Sequence, residues 1–94
     1  MLDTPPIYLT GAFATGALRG RVHVFKKGEG LPVHVHTEER NHITVVLHGR
    51  FLLSGRPAIE GKIMCAGEVL DWMPHERHGF EALEDGSSFL QVQK

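Results

Sequence analysis

Short runs of alternating apolar and polar residues, separated by turns rich in glycine and proline, recur along the whole chain. Side chains of an extended strand alternate between the two faces of a sheet, so each run predicts a strand with one buried face. No window repeats its apolar residues every 3.6 positions over the length of a helix. The pattern predicts eight or more strands, at residues 7–13, 21–25, 33–36, 42–47, 51–53, 58–65, 68–72, 78–83 and 89–92.

The connections between these strands refine the expected fold. Residues 42–53 predict a hairpin bent at Gly49-Arg50, and Gly61 predicts a bulge or bend inside the strand at 58–65. Residues 14–20 hold two glycines and predict a turn. Many short strands with turns every eight to twelve residues are typical of an all-β sandwich or barrel.

Size and charge narrow the function classes. A chain of 94 residues makes one domain, residues 1–94, with residues 1–6 as a loosely held lead-in. A net charge of -1 without a basic stripe argues against nucleic acid as a partner. No apolar run could span a bilayer, and the first residues do not resemble a secretory signal. We therefore expect a cytoplasmic protein that, having a thin core and exposed strand edges, forms a homodimer.

The unusual compositional feature is the presence of seven histidines inside predicted structured segments. His34 and His36 are two residues apart on a predicted strand, so their rings project from one face and form half of a metal site. His42 shares its strand phase with Thr44 and Val46. His78 belongs to a second cluster and shares a face with Phe80 and Ala82, an apolar set suited to a barrel interior.

The spacing of these histidines resembles the first motif of the cupin family, G(x)5HxH(x)3-4E(x)6G. Gly28, five residues, His34-Val-His36 and a final Gly49 preceded by six residues all match. The position of the family's glutamate holds His42, after a gap one or two residues longer than usual. The second family motif, G(x)5PxG(x)2H(x)3N, is matched only in part, by Gly67, Pro74 and His78.

The cupin resemblance implies a jelly roll, or double-stranded β-helix, with a divalent metal in the barrel. His34, His36 and His78 stand at ligand positions of the family, and His42 stands at one with a changed residue type. Four neutral imidazoles would leave the ion its full 2+ charge, which favours anionic substrates or bound hydroxide. Fe, Mn, Ni, Zn and Cu all accept such ligands, so the metal stays open.

Several neighbouring side chains have a less defined role. Glu38 or Glu39 is an alternative carboxylate ligand in place of His42. His75 is expected in a loop beside the site, and His23 and His48 on the surface or lining the barrel. Cys65 and Trp72 are expected to pack, Cys65 in the core and Trp72 in the core or an interface, without chemical roles; the lone cysteine cannot form an internal disulfide.

Two function classes fit these features. In the first, a small metal-dependent cupin acts on a small molecule by dioxygenation or isomerisation. In the second, the cupin is a non-catalytic module that senses a ligand, assists another protein or uses the metal to stiffen its barrel. One fold hosts many chemistries, so the resemblance does not choose between the two.

Overall fold

The strands of this chain form two antiparallel sheets. The computed structural model describes residues 11–34, 42–55, 57–72 and 77–93, with only the backbone of His34. These residues contain no helix, and none forms a segment able to cross a membrane as a helix. The described strands are β1 (Ala12–Thr15), β2 (Leu18–Phe25), β3 (Gly30–His34), β4 (His42–His48), β5 (Arg50–Ser54), β6 (Ile63–Cys65), β7 (Val69–Trp72), β8 (His78–Ala82) and β9 (Ser87–Gln93).

The strand order within the sheets is that of a jelly roll. One sheet has five strands in the order β1-β2-β9-β4-β7, and the other has four in the order β3-β8-β5-β6. From β3 to β9, strands that follow one another in sequence lie in different sheets, apart from the step from β5 to β6. This confirms the predicted all-β jelly-roll fold. We call the two layers the five-stranded and the four-stranded sheet.

The core lies between the facing sides of the two sheets. Phe89, in the middle of the five-stranded sheet, is fully buried, and its ring centroid lies 5.2 Å from that of Phe51 and 5.0 Å from that of Phe80. Both of these partners belong to the four-stranded sheet. The alternation read from the sequence therefore has a direct cause, since every second residue of these strands is buried between the layers. The buried apolar residues are Val46, Phe51, Leu53, Ile59, Met64, Trp72, Phe80, Ala82 and Phe89.

The outer side of the five-stranded sheet is also apolar. Val24 on β2 is 68% exposed and Val69, the first residue of β7, is 60% exposed. The cross-strand register places them on one surface, since Val22 pairs with Leu90, Val45 pairs with Leu90 and with Val69, and Ile43 pairs with Val92. We call this surface the outer apolar face; its members are Phe13, Leu18, Val22, Val24, Ile43, Val45, Leu47, Val69, Leu90 and Val92.

Three predicted local features are wrong. β4 and β5 do not form a hairpin, because the chain passes at Gly49 from one sheet to the other. The predicted strand at 58–65 is a turn over 57–61 followed by the short β6. Residues 14–20 are mostly strand, since a tight turn at Gly16-Ala17 joins β1 to β2. In each case glycine marked a change of direction correctly, but did not specify which strands would pair.

The side chain of Cys65 is exposed, so the prediction that it packs in the core is wrong. Its neighbour Met64 is buried, because alternation along β6 turns the methionine inward and the cysteine outward. The thiol therefore contributes nothing to the core.

Candidate functional site

Two of the predicted metal ligands meet inside the barrel. His42 lies on β4 of the five-stranded sheet and is 1% exposed, and His78 lies on β8 of the four-stranded sheet and is 2% exposed. Their ring centroids are 6.5 Å apart, with an angle of 49° between the ring planes. The Nε2 atoms of both rings are shielded from solvent. Residues 36 positions apart in sequence thus place two imidazoles at one point between the sheets.

The other two predicted ligands are described in part or not at all. The backbone of His34 pairs directly with that of His78 in the antiparallel ladder of β3 and β8. His36 lies outside the described residues, as do Glu38, Glu39 and His75. Within the described ranges, no group of three or more histidine, cysteine, aspartate or glutamate side chains is gathered as a metal site would require. The described part of the candidate site is therefore the pair His42 and His78.

A buried tryptophan fixes the position of His78. The Trp72 ring stacks on the His78 ring at a centroid distance of 4.6 Å and an angle of 28°. Trp72 is itself fully buried, and its indole N–H donates a hydrogen bond of 3.0 Å to the Thr44 hydroxyl. Trp72 also pairs with His42 in the ladder of β4 and β7. The predicted packing residue is thus in the core, and it connects the two histidines.

The two imidazoles suit a divalent transition metal. Rings that bind one ion through nitrogens about 2.1 Å from it have centroids roughly 5 to 6.5 Å apart. The observed 6.5 Å is at the upper end of this range, which corresponds to two rings on nearly opposite sides of one ion. Buried neutral imidazoles are ligands that Zn, Fe, Ni and Cu accept. These residues therefore fit the metal implied by the family resemblance.

Two further histidines lie away from this pair. His48 is exposed at the end of β4, as predicted for a surface residue. His23 is half-buried on β2, where its ring lies 5.2 Å from that of Phe89 and stacks with Phe25 at 6.3 Å. Burial, and secondarily the Arg21 guanidinium, lowers the pKa of the His23 imidazole from its usual value. The lowered pKa favours the neutral form of the ring, which lines the cavity described next.

A cavity of about 470 Å³ opens beside His23 on the inner side of the five-stranded sheet. Four polar side chains on β2 and β9 line it: Arg19, Arg21, Gln91 and Gln93. Sequence reasoning overlooked these residues. The signal was present, because Arg19, Arg21 and His23 alternate along one strand and Gln91 and Gln93 along another, so each set shares a face.

The cross-strand register places the residues that line this cavity in the same rows as His42 and Thr44. Arg19 pairs with Gln93, and Gln93 pairs on its other side with His42. In the next row inward, Arg21 pairs with Gln91, and Gln91 pairs with Thr44. Residues paired in this way share a face of the sheet. The cavity and the His42–His78 pair are therefore neighbouring parts of one inner surface.

The same fold occurs in several solved structures. An RmlC-like cupin protein from Desulfovibrio desulfuricans is 26% identical, with a TM-score of 0.74 over 87% of this chain and 76% of that one. KdgF from Halomonas sp. is 23% identical, with a TM-score of 0.76 over 87% and 73% of the two chains. A Cupin 2 conserved barrel domain protein from Salinispora arenicola is 18% identical, with a TM-score of 0.71 over 99% and 88%.

No protein-family model matches this sequence, and no curated protein does. The structural likeness nevertheless extends over most of the chain, and it agrees with the motif around His34, His36 and Gly49. The sheet topology is also that of a jelly roll. Sequence motif, topology and structural likeness lead to one conclusion, that the chain has the fold of the cupin superfamily and resembles its small RmlC-like members.

Proposed function

We propose that this cupin binds a divalent transition metal through histidines inside its barrel and acts on a small molecule there. The observation that carries the proposal is the burial of His42 and His78, from opposite sheets, with ring centroids 6.5 Å apart. In this proposal His34 and His36 complete the ligand set.

The backbone supports a contribution from position 34. It lies directly opposite His78 in the β3–β8 ladder, and opposite positions of an antiparallel ladder share one face of the sheet. The family motif adds position 36, two residues further along. When bound, a divalent ion supplies Lewis-acid or oxygen chemistry at positions left open by the protein.

The described side chains have defined tasks in this proposal. Trp72 holds the His78 ring by stacking on it, and Thr44 accepts the hydrogen bond that fixes the indole. Groups that orient a metal ligand typically affect affinity by about 10- to 100-fold. Phe80, whose ring centroid lies 6.1 Å from that of His78, is buried and helps to exclude water from the histidine pair.

Metal analysis of purified protein tests the proposal. We expect His36→Ala, His42→Ala and His78→Ala each to lower metal affinity at least about tenfold, because each removes one ligand. His48→Ala is the matched control, since this exposed histidine ends the same strand as His42 and should leave binding unchanged. Because alanine at a buried site can also unfold the chain, each variant is checked by circular dichroism.

A second variant separates ligation from packing at position 42. The family carries a glutamate at this position, so we expect His42→Glu to keep metal bound where His42→Ala loses it. Unchanged metal content in the folded alanine variants at 36, 42 and 78 would refute the site.

The second candidate function is a non-catalytic module. The side chains of Arg19 and Arg21 are exposed, and exposed arginines suit ligand sensing as well as turnover. Full, slowly exchanging metal occupancy without turnover would support this candidate. Oxygen consumption or isomerisation of an added small molecule would support the enzyme.

We place the protein in the cytoplasm in either case, where an exposed free thiol such as Cys65 stays reduced.

We also propose that two copies of the chain associate through the outer apolar face. The face extends across all five strands of its sheet, and among the described residues on this side of the strands only Asp71 is charged. Two identical, nearly uncharged apolar faces can pack together without bringing like charges into contact, which suits a symmetric dimer. Apolar patches of this extent usually mark protein interfaces.

A further inference from the structure

The cavity beside His23 contains two arginines that share one side of β2. Arg19 and Arg21 are two residues apart, so their Cα atoms are separated by about 6.6 Å along the strand. Among the described residues, neither guanidinium lies within ion-pair distance of a carboxylate. Two positive charges placed side by side repel each other unless an anion lies between them. This part of the barrel is therefore electrostatically prepared for an anionic ligand.

Besides Ala12 and Gly20, the other described residues that line the cavity are the polar Gln91, Gln93 and His23, and none of them is acidic. Gln91 and Gln93 are half-buried on β9, directly beside the arginines. A glutamine amide both donates and accepts hydrogen bonds, so it suits hydroxyl or carbonyl groups better than a second anionic group. His23 closes the inner end of the row, and burial lowers the pKa of its imidazole, which favours the uncharged form.

The size and position of the cavity limit the ligand further. A volume of about 470 Å³ suits a small molecule and excludes a folded macromolecule. The arginines lie on β2 and His42 on β4, with β9 between them, so the two groups are two strand spacings apart, or roughly 10 Å. A molecule of about five or six carbons bound by its acid group at the arginines would extend past the glutamines to the histidines.

We propose that Arg19, Arg21, Gln91 and Gln93 form the recognition site for a small hydroxylated carboxylate, whose acid group binds the two guanidiniums. The planar fork of arginine matches a carboxylate in two-point contact, and the glutamines bind the hydroxyl groups along the carbon chain. Binding of the carboxylate by the two arginines does not depend on a metal. Contact between the other end of the molecule and the metal rests on the proposed function.

The test measures binding of D-gluconate by calorimetry, with D-glucitol and inorganic phosphate as comparisons. D-Glucitol has the same carbon skeleton without the charge, and phosphate has charge without the hydroxylated chain. We expect gluconate to bind at least about tenfold more tightly than either. Arg19→Gln and Arg21→Gln should each weaken gluconate binding by about 10- to 100-fold, the usual effect of removing a charged hydrogen-bond partner.

Lys62→Gln is the matched control, since it removes one positive charge from an exposed position next to β6 and should leave gluconate affinity unchanged. Gluconate affinity equal to wild type in both arginine variants would overturn the proposal, as would absence of gluconate binding at millimolar concentration. Equal binding of glucitol would overturn the role of charge, and equal binding of phosphate would overturn the choice of a hydroxylated carboxylate.

Measuring both the metal content and the gluconate affinity of the arginine and histidine variants separates the two proposals. If the arginine variants keep their metal but lose gluconate, both proposals stand. If His42→Ala and His78→Ala keep their metal while gluconate binding still depends on the arginines, the proposed metal site fails and the carboxylate site remains. If metal binding follows the histidines but gluconate binding ignores the arginines, only the carboxylate site fails.

Discussion

At the level of single residues, His42 stands at the position where the cupin motif has a glutamate, and its side chain is still buried inside the barrel. The residue follows the inward phase of Thr44 and Val46, and all three are buried as the alternation predicted. Where the cupin motif places a carboxylate, this chain places an imidazole. A metal bound there would keep more of its positive charge, which agrees with the paired arginines nearby as a site for anions.

The pKa of His23 gives a prediction at the same scale. Burial is the larger cause of its lowering and the Arg21 guanidinium the smaller one, while Phe89 and Gln91, which face it from β9, carry no charge. We expect Arg21→Gln to raise the pKa of His23 part of the way towards about 6.5, because burial remains. A ¹H NMR titration of the imidazole measures this, and Lys62→Gln should leave the titration unchanged.

The lowered pKa of His23 also makes the stability of the fold depend on pH. Below about pH 6.5 the unfolded chain binds a proton at His23 before the folded chain does, so the contribution of His23 is complete above that pH. It is lost as the pH falls through the lower pKa of the folded state. A pKa of His23 at or above the value in an unfolded peptide would contradict the role of burial.

At the level of elements, the passage from β4 to β5 determines how the two sheets are connected. Gly49 has a φ of +70°, which other residues rarely adopt, and a Cβ there would lie 2.9 Å from the Cα of Ser87. The Ser87 hydroxyl secures the same corner, accepting a hydrogen bond from the Arg50 N–H at 3.3 Å and donating one of 2.8 Å to the Glu84 carbonyl. The corner is tightly packed against the start of β9.

Gly49→Ala should therefore destabilise the fold for two reasons, the positive φ and the collision with Ser87. The first costs about 1–3 kcal/mol by itself. Gly61→Ala is the matched control, because Gly61 has a φ of +77° but no atom within 4 Å of the added Cβ. We expect Tm to fall by about 4–8 °C for each kcal/mol lost, and to fall further for Gly49→Ala than for Gly61→Ala. Equal losses would show that the corner is not tightly packed.

At the level of the whole molecule, the five-stranded sheet carries apolar residues on both sides. Part of its inner side packs in the core, and its outer apolar face leaves Val24 68% and Val69 60% exposed. Antiparallel sheets with one solvated side usually alternate apolar and polar residues, so this second apolar side requires another explanation. A second copy of the chain would provide it.

Light scattering on the purified protein at micromolar concentration tests the dimer. We expect twice the mass of one chain for the wild type, and one chain's mass for the double variant Val24→Lys with Ile43→Lys, which places four charges in the interface of a symmetric pair. Ile63→Lys is the matched control, since Ile63 is 49% exposed but belongs to the four-stranded sheet. A wild-type mass of one chain would refute association, and an equal effect of Ile63→Lys would refute this interface.

Much of the fold followed from local patterns. Strands 42–48 and 78–82 agree closely with the predicted ones, and His78, Phe80 and Ala82 face inward while Glu81 is exposed. Two-residue alternation is a property of each strand alone and can be read without knowing its partners. Strand pairing cannot be read in this way. The β4–β5 hairpin was predicted because the two strands are close in sequence, but a glycine turn such as that at Gly49 permits either a hairpin or a change of sheet.

The sequence by itself determined the all-β class, the inward phase of His42 and His78, and the likeness to cupins. Only the tertiary structure decided that these two rings meet, that Trp72 stacks on one of them, and that Arg19 and Arg21 lie on the same inner surface. The physical reason is that strand phase is fixed by backbone geometry within a few residues. Contact between distant residues depends instead on which strands exchange hydrogen bonds, and that is settled by burying all the apolar faces at once.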